Sequence, residues 1–155
     1  MHEDHLEQFK PNTTVAAVIT AQNKFLLVEE KDNGDIVFNQ PAGHVEAKEN
    51  LISACKREVL EETGLTLTPQ YCNGIYYFHR PELNLYYLRF CFAIELPEIA
   101  ACTPQDSDII ACHWFTYEEI VARTSQLRSP MVLECIDDYL SGKRIENEML
   151  KSNLP

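Results

Sequence analysis

The apolar positions near the start of the chain predict a β-hairpin. Residues 14–20 are β-branched or small and apolar without alternation, which is typical of a strand covered on both faces. A polar turn at 21–24 separates this run from a second apolar run at 24–30, and a polar turn at 31–35 follows. Two such runs joined by a short turn favour antiparallel strands that pair with each other.

The best-supported helix follows a loop. Residues 39–48 contain Pro41 and Gly43, so we predict that they continue neither regular structure. Between 49 and 63 apolar side chains recur at helical spacing, and a glycine stands where a C-terminal cap is expected. The residues of this pattern are Leu51, Ala54, Cys55, Val59, Leu60 and the capping Gly64.

Strand-like runs and two more helical segments complete the pattern. We predict strands at 66–79, 85–96 and 109–116, because these runs are rich in aromatic and β-branched residues. Helices are predicted at 117–123 and 130–140. This order of elements favours a mixed α/β domain with helices packed against a sheet.

Length and composition indicate one globular domain. The chain has 155 residues, of which 45% are hydrophobic and 24% are charged. This composition excludes a chain that is disordered throughout. We find no internal repeat and no linker that would divide the chain. We therefore predict a single domain over 13–142, with a polar leader at 1–12 and a polar, loosely ordered tail at 143–155.

The charge of the chain narrows its partners and its location. With 13 Lys and Arg against 24 Asp and Glu, the formal net charge is −11. A nucleic-acid polymer or an anionic membrane would repel such a protein. No apolar run approaches the roughly 18 residues that span a bilayer, and the acidic start is unlike a signal peptide. We expect a cytoplasmic protein whose six cysteines, without a CxxC pair, are reduced and buried.

Three glutamates of the predicted helix are candidate metal ligands. Glu58, Glu61 and Glu62 stand at i, i+3 and i+4, so they share one side of the helix. Like charges at this spacing repel, and the single charge of Arg57 does not balance them. Hard cations such as Mg²⁺ and Mn²⁺ prefer oxygen ligands. Taken alone, however, three glutamates are more simply explained as a solvated acidic face.

The residues around the glutamates change that interpretation. With U for a bulky aliphatic residue, the stretch 43–65 fits G-x5-E-x7-R-E-U-x-E-E-x-G-U at every defined position. The matching residues are Gly43, Glu49, Arg57, Glu58, Val59, Glu61, Glu62, Gly64 and Leu65. This stretch resembles the Nudix box, the signature of the Nudix hydrolase superfamily. A motif of this length is far more specific than a lone glycine-rich loop.

The resemblance extends over residues 12–140. Strands flank the box, and Trp114 stands near the end of a late strand that a helix follows. This arrangement looks like the superfamily's α/β/α sandwich with a mixed central sheet and a catalytic loop-helix-loop. The segments 39–44 and 127–131, the latter leading to 141–142, look like the NudJ type of Nudix phosphatase. The resemblance therefore implies a fold as well as an activity.

The resemblance also implies roles for the box residues. It assigns the metal, Mg²⁺ with Mn²⁺ as a substitute, to the three glutamates and to backbone carbonyls near the box glycine; these ligands are Glu58, Glu61, Glu62, Ala42 and Gly43. Arg57 and Glu49 would orient the trio through a buried ion pair. Glu58 is our first choice for the general base among the box residues.

Candidate substrate contacts outside these ligands each have a simpler alternative. Asp106 and Asp108 could act as a further ligand or base, or could only form a turn. His44 could face a phosphate or pack in its loop, and Arg128 could bind a phosphate at a helix start or lie in a simple cap. The remaining candidates are Gln40 and Arg89, at strand positions near the Nudix groove. Arg80 at a strand end could touch a phosphate or a base, but the simpler expectation is that it is solvated.

The function implied by the NudJ-type resemblance is hydrolysis of small phosphate anhydrides. Expected substrates are nucleoside di- and triphosphates and related diphosphates, including thiamine diphosphate or hydroxymethylpyrimidine diphosphate, with release of orthophosphate by metal-activated water. One alternative is a MutT-like enzyme that converts oxidised nucleoside triphosphates into monophosphate and pyrophosphate. Another is a non-catalytic Nudix domain that senses a ligand, although such domains usually carry a degraded box. We expect a monomer.

Overall fold

The computed structural model describes residues 7–155, so the first six residues of the predicted leader lie outside the described residues. The strands are β1 (Asn12–Ala21), β2 (Lys24–Asp32), β3 (Asp35–Asn39), β4 (Ala42–His44), β5 (Tyr71–Arg80), β6 (Leu85–Glu95) and β7 (Ile109–Thr116). The helices are α1 (Leu51–Thr63), α2 (Tyr117–Val121) and α3 (Met131–Leu140), with short 3₁₀ helices at Thr124–Gln126 and Asn147–Met149.

The seven strands form one mixed sheet that divides into two arms. β1 and β2 pair only beside their turn, where Thr20 pairs with Phe25 and Ala21 pairs with Lys24. Beyond that point β1 pairs with β4 and, in parallel, with β6, which pairs in turn with β5. β2 pairs instead with β3 and β7. The two arms therefore separate on one side of the hairpin, where the loop between β3 and β4 enters.

Helices cover both faces of the sheet, as the predicted α/β/α sandwich requires. The two faces are visible in β1, where Val15 and Ala17 belong to one core cluster and Ala16 and Val18 to another. α1 contributes to the first cluster, and α2 and α3 contribute to the second. This explains why the apolar run of β1 does not alternate: every one of its central side chains enters a core. The predicted fold class is confirmed.

Both ends of α1 are set by local chemistry. The helix begins after Asn50, whose side chain accepts a hydrogen bond from the backbone N–H of Ser53 at 2.8 Å. It ends at Gly64, which has a φ of 77° and whose backbone N–H donates to Leu60. A Cβ at this glycine would lie 2.3 Å from the carbonyl oxygen of Thr103. The predicted glycine cap is confirmed, and no other residue fits without strain.

The sequence pattern misses β3 and β4 and begins β5 too early. Pro41 interrupts the segment, but its carbonyl accepts a hydrogen bond from the N–H of Ala17 at 3.0 Å, and Ala42 then pairs with Ala16. Tertiary pairing with β1 thus overrides a local sequence that is unsuited to a strand. The strand predicted from residue 66 starts at Tyr71, after Pro69, which has no N–H for a ladder.

The C-terminal segment 143–155 packs against the domain, whereas we expected a loosely ordered tail. Ile145 exchanges two backbone hydrogen bonds with Cys72, at 2.9 and 2.7 Å, so the segment lies alongside the edge strand β5. Leu150 packs on the core cluster beneath α1. Two apolar side chains in a polar segment therefore anchor it, and the wide spacing between them conceals this role in the sequence.

All six cysteines of the chain are free, and Cys55, Cys72, Cys91 and Cys135 are buried. They pack as small apolar side chains, as the sequence indicates. Within residues 7–155, no helix has both the length and the apolar character that a membrane crossing needs.

Candidate active site

An open pocket of about 440 Å³ brings together the box residues and several positions that are distant in the sequence. Its walls come from β1 to β6, from α1, and from the segments near 106 and 128–131. Carboxylates and guanidinium groups share these walls. The charged residues that line the pocket are Glu30, Glu46, Arg57, Glu58, Glu61, Glu62, Arg80, Arg89, Asp106 and Arg128.

Arg57 and Glu49 form a two-pronged ion pair at the start of the box. Arg57 Nε and Nη2 donate to the two carboxylate oxygens of Glu49 at 2.6 and 3.0 Å, and Nη2 also donates to the carbonyl of His44 at 3.0 Å. The hydrogen bonds from Arg57 hold the pKa of the Glu49 carboxyl below its ordinary value. This paired geometry fixes the guanidinium between the loop and α1.

Glu58 lies directly against the box glycine. A Cβ built on Gly43 would be 2.1 Å from the Glu58 carboxyl carbon, so only glycine leaves room for this side chain. Arg57 Nη1 donates to Glu58 Oε2 at 2.9 Å. Burial raises the pKa of Glu58, and the neighbouring guanidinium opposes this increase. The box glycine therefore leaves the space that the Glu58 carboxylate occupies.

Glu62 is the most deeply buried of the three box glutamates, with 7% of the residue exposed. Its Oε1 accepts a hydrogen bond from the backbone N–H of Ala42 at 3.0 Å. Burial raises its pKa to about 9, and the nearby carboxylates of Glu30, Glu58 and Asp106 add to the increase. An ionised Glu62 is costly in these surroundings unless a cation balances it.

Glu61 is more accessible, with 44% of its side chain exposed, and lies 3.4 Å from Arg57 Nη1. Its backbone carbonyl accepts hydrogen bonds from the N–H groups of Gln105 and Asp106, which hold their loop against the end of α1. Asp106 lines the pocket, and its Oδ1 also caps the turn by accepting from the N–H of Asp108 at 2.9 Å. Asp108 lies outside the pocket lining.

The donor set has the chemistry that a hard divalent cation prefers. Glu58, Glu61 and Glu62 present carboxylate oxygens to one pocket, and Ala42 and Gly43 line it as well. In the part of the chain that the structure describes, no three acidic, histidine or cysteine side chains already enclose an ion-sized site. Arg57 pairs with two of the glutamates and Ala42 with the third, so binding a cation would exchange these partners for the metal.

Two other pocket arginines are paired with carboxylates. Arg128 donates to the buried Glu30 and lies 3.9 Å from Asp32. Arg80 donates to Glu82 at 2.8 Å and lies 3.6 Å from the same Asp32. The expectation that Arg80 is merely solvated is therefore incomplete, because it lines the pocket. Glu30, a charged residue at a buried position of β2, lines the pocket and is not among the residues predicted from the sequence.

Arg89 and Gln40 form a buried pair beside the pocket. Arg89 Nη2 donates to Gln40 Oε1 at 2.6 Å, and Gln40 Nε2 donates to the carbonyl of Val132 at 2.7 Å. Arg89 is 5% exposed and lines the pocket, whereas Gln40 is 1% exposed and lies behind the lining. Sequence reasoning selects both residues but not the contact between them.

His44 and an aromatic pair complete the pocket. His44 is exposed at the end of β4 and lines the pocket. Phe78 and Tyr87 also line it and stack on each other, with ring centroids 5.2 Å apart and an interplanar angle of 21°. The pocket therefore offers an aromatic surface as well as charged groups.

Known proteins resemble this chain in sequence and in fold. The model of the NUDIX domain family matches residues 10–135. The phosphatases NudJ of Shigella boydii and of Escherichia coli K12 are each 49% identical over 142 residues, which is 92% of this chain and 92% of each relative. A solved NUDIX hydrolase from Nitrosomonas europaea is 44% identical, with a TM-score of 0.86, and the match covers 92% of this chain and 97% of that one.

More distant structures share the fold. The MutT protein of Methanosarcina mazei has a TM-score of 0.73 at 23% identity, over 88% of this chain and 99% of that one. Together, the family match, the NudJ similarity and the complete box confirm the predicted resemblance. The chain therefore belongs to the Nudix hydrolase family, as a NudJ-like enzyme that acts on phosphate anhydrides.

Proposed function

We propose that the chain is a Mg²⁺-dependent phosphatase of small phosphate anhydrides. Its proposed substrates are nucleoside di- and triphosphates and related diphosphates, such as thiamine diphosphate or hydroxymethylpyrimidine diphosphate, and its proposed product is orthophosphate. The observation that carries this proposal is the pocket that the three box glutamates share with four arginines. The name of the 49% identical relatives, phosphatase NudJ, supports release of orthophosphate.

The box glutamates are the proposed metal ligands. Glu58, Glu61 and Glu62 would hold Mg²⁺, with Mn²⁺ as a substitute, and peptide oxygens of Ala42 and Gly43 would complete the set. When bound, the metal neutralises phosphate oxygens and activates water. The raised pKa of Glu62 supports this assignment, because a buried carboxylate among other carboxylates is stabilised by a cation.

Arg57 and Glu49 are proposed to hold the catalytic carboxylates in place. Arg57 contacts Glu49, Glu58 and Glu61 at once, so it sets the positions of two proposed ligands. Glu49 fixes the other side of the guanidinium and itself accepts a hydrogen bond from the backbone N–H of Glu46 at 2.9 Å. A network of this kind keeps ligands oriented without touching the metal.

Glu58 is proposed to act as the general base. Its carboxylate would accept a proton from the water that attacks phosphorus, and the anhydride P–O bond would break with its electron pair on the bridging oxygen. Orthophosphate and the shortened phosphate ester would result. Burial raises the pKa of Glu58, which makes its carboxylate a better proton acceptor.

The remaining candidates have smaller proposed roles. His44 and Arg128 line the pocket and are proposed phosphate contacts, and Asp106 is a proposed further ligand. Asp108 is not favoured, since it lies outside the pocket lining. We also propose a monomeric, cytoplasmic enzyme with its hydrolase domain at 13–142.

A substrate panel tests the proposal. The protein would be assayed with Mg²⁺ on nucleoside di- and triphosphates, thiamine diphosphate, dinucleotide polyphosphates and nucleotide sugars, and orthophosphate and pyrophosphate would be measured separately. We expect orthophosphate from several di- and triphosphates. Pyrophosphate from one oxidised nucleoside triphosphate would favour the MutT-like alternative, and binding without turnover would favour a ligand sensor.

A further inference from the structure

Arg89 differs from the other arginines of the pocket in its partners. Arg57, Arg80 and Arg128 each contact at least two carboxylates. Among residues 7–155, no carboxylate oxygen lies within 4.0 Å of the Arg89 guanidinium, whose hydrogen-bond partner is the neutral amide of Gln40. The positive charge of Arg89 is therefore not balanced by a close carboxylate.

The surroundings of Arg89 make this unbalanced charge unusual. The residue is 5% exposed, and its Nε is buried without a hydrogen-bond partner in the described part of the chain. A buried cation with unused donors is costly, so proteins normally supply an anion or a set of acceptors. Arg89 also lines the pocket, which leaves an approach for an anion from solution.

The sheet places Arg89 near the Nudix box. Thr14 of β1 pairs with His44 on one side and with Arg89 on the other. Side chains at directly paired positions project from the same face, so these three residues form a row across β4, β1 and β6. Arg89 is thus two strands away from β4, which carries the proposed metal ligands Ala42 and Gly43, or roughly 10 Å at the usual strand spacing.

Gln40 orients Arg89 without adding charge. Its Nε2 donates to the carbonyl of Val132 at 2.7 Å, which directs Oε1 toward the Arg89 guanidinium. Both ends of the amide are therefore in use, and one arm of the guanidinium is fixed. An arginine held in this way loses less conformational entropy when its other donors bind a ligand.

We propose that Arg89, positioned by Gln40, binds the terminal phosphate of the substrate, the group that is released as orthophosphate. This inference rests on the proposed function and deepens it. A phosphate carries the charge that Arg89 lacks and accepts the paired hydrogen bonds of a planar guanidinium. The carboxylate-paired arginines of the same pocket are poorer anchors, because their charge is already balanced.

The first test measures anion binding without catalysis. Inorganic phosphate and inorganic pyrophosphate would be titrated by calorimetry into the metal-free full-length protein. Arg89→Gln is expected to raise both dissociation constants about tenfold or more. Arg80→Gln is the matched control, because it removes the same charge from the same pocket but from a guanidinium that Glu82 and Asp32 already neutralise. We expect a change of less than about threefold there.

The second test leaves Arg89 in place. Gln40→Glu is nearly isosteric and gives Arg89 a carboxylate partner, so phosphate binding should weaken about tenfold. Thermal unfolding of both variants would show which of them is folded. Gln40→Glu keeps the proposal testable if Arg89→Gln does not fold. Phosphate binding in this folded variant equal to that of the wild type would overturn the proposal.

Kinetics distinguish a phosphate anchor from a base contact. In an assay with Mg²⁺, Arg89→Gln should raise KM about equally for diphosphates of different bases. A change in KM for one base alone, with unchanged binding of inorganic phosphate, would contradict the proposal. If no substrate were hydrolysed, the proposed function would fail, but Arg89-dependent binding of inorganic phosphate would still support the anion site.

Discussion

Arg57 and Arg89 line the same pocket but have opposite surroundings. Arg57 contacts the carboxylates of Glu49, Glu58 and Glu61, whereas the described residues give Arg89 a single neutral partner, Gln40. A guanidinium surrounded by carboxylates holds the protein's own groups in place, and one without them is able to bind an anion. Both residues are arginines, so the groups that each one contacts distinguish a positioning arginine from a ligand-binding one.

The largest effect is expected from the proposed general base. Glu58→Gln should lower kcat by about 10²- to 10⁴-fold, because it removes the proton acceptor and a proposed metal ligand. Steady-state assays of orthophosphate release would measure this. Glu118→Gln, an equal change at an exposed position of α2, is the control and should retain full activity. Equal rates for Glu58→Gln and the wild type would exclude the assigned role.

A substitution at the box glycine should be nearly as harmful. Gly43→Ala places a Cβ about where the Glu58 carboxyl lies, so this carboxylate must move. Displacement of a catalytic group by 1 Å can cost about 10²-fold in rate. Because the displaced atoms end a flexible side chain, thermal unfolding should change little. A fully active Gly43→Ala variant would show that the close approach of Glu58 to this glycine is unimportant.

The Arg57–Glu49 pair should influence activity through the affinity of the site for Mg²⁺. Glu49→Gln weakens the orientation of Arg57 and so of two proposed ligands, and we expect about 10- to 100-fold weaker Mg²⁺ affinity. Titration of activity against Mg²⁺ would show this as a shifted midpoint with a largely recovered maximum. A lower maximum at saturating Mg²⁺, with no shift in midpoint, would instead place Glu49 in the chemical step.

The smallest effect on activity is expected far from the pocket. Ile145→Ala removes an apolar contact that joins the C-terminal segment to the core, and should lower the free energy of unfolding by about 1–3 kcal/mol. Denaturant unfolding would measure this, and kcat and KM should stay unchanged. A large loss of activity in the folded variant would mean that the C-terminal segment influences the site.

The sequence predicts the box because its geometry is local. Glu58, Glu61 and Glu62 lie within five residues on one helix, and the cap at Gly64 is also a local feature. Regular hydrophobic patterns likewise predict most strands and the layers of the fold. Three-residue β4 escapes this reasoning because its pairing with β1 comes from tertiary contact and not from its own residues.

The arginine pairs that join distant parts of the chain could not be predicted from one sequence. Gln40 and Arg89 are 49 residues apart, and Glu30 and Arg128 are 98 apart, so only the folded sheet brings them together. Which pocket arginine lacks a carboxylate depends on such long-range contacts. The one sequence feature that could have helped is a charged residue at a buried strand position, as with Glu30 and Arg89.

The most direct test of the central claim compares orthophosphate release from a nucleoside diphosphate by the wild type and by Glu61→Gln, each with Mg²⁺ and with a chelator. The proposed metal site predicts Mg²⁺-dependent release by the wild type, and loss of release both on chelation and in the folded Glu61→Gln variant. Unchanged release by Glu61→Gln, or by the chelated wild type, would contradict the assignment of the box glutamates to a catalytic metal.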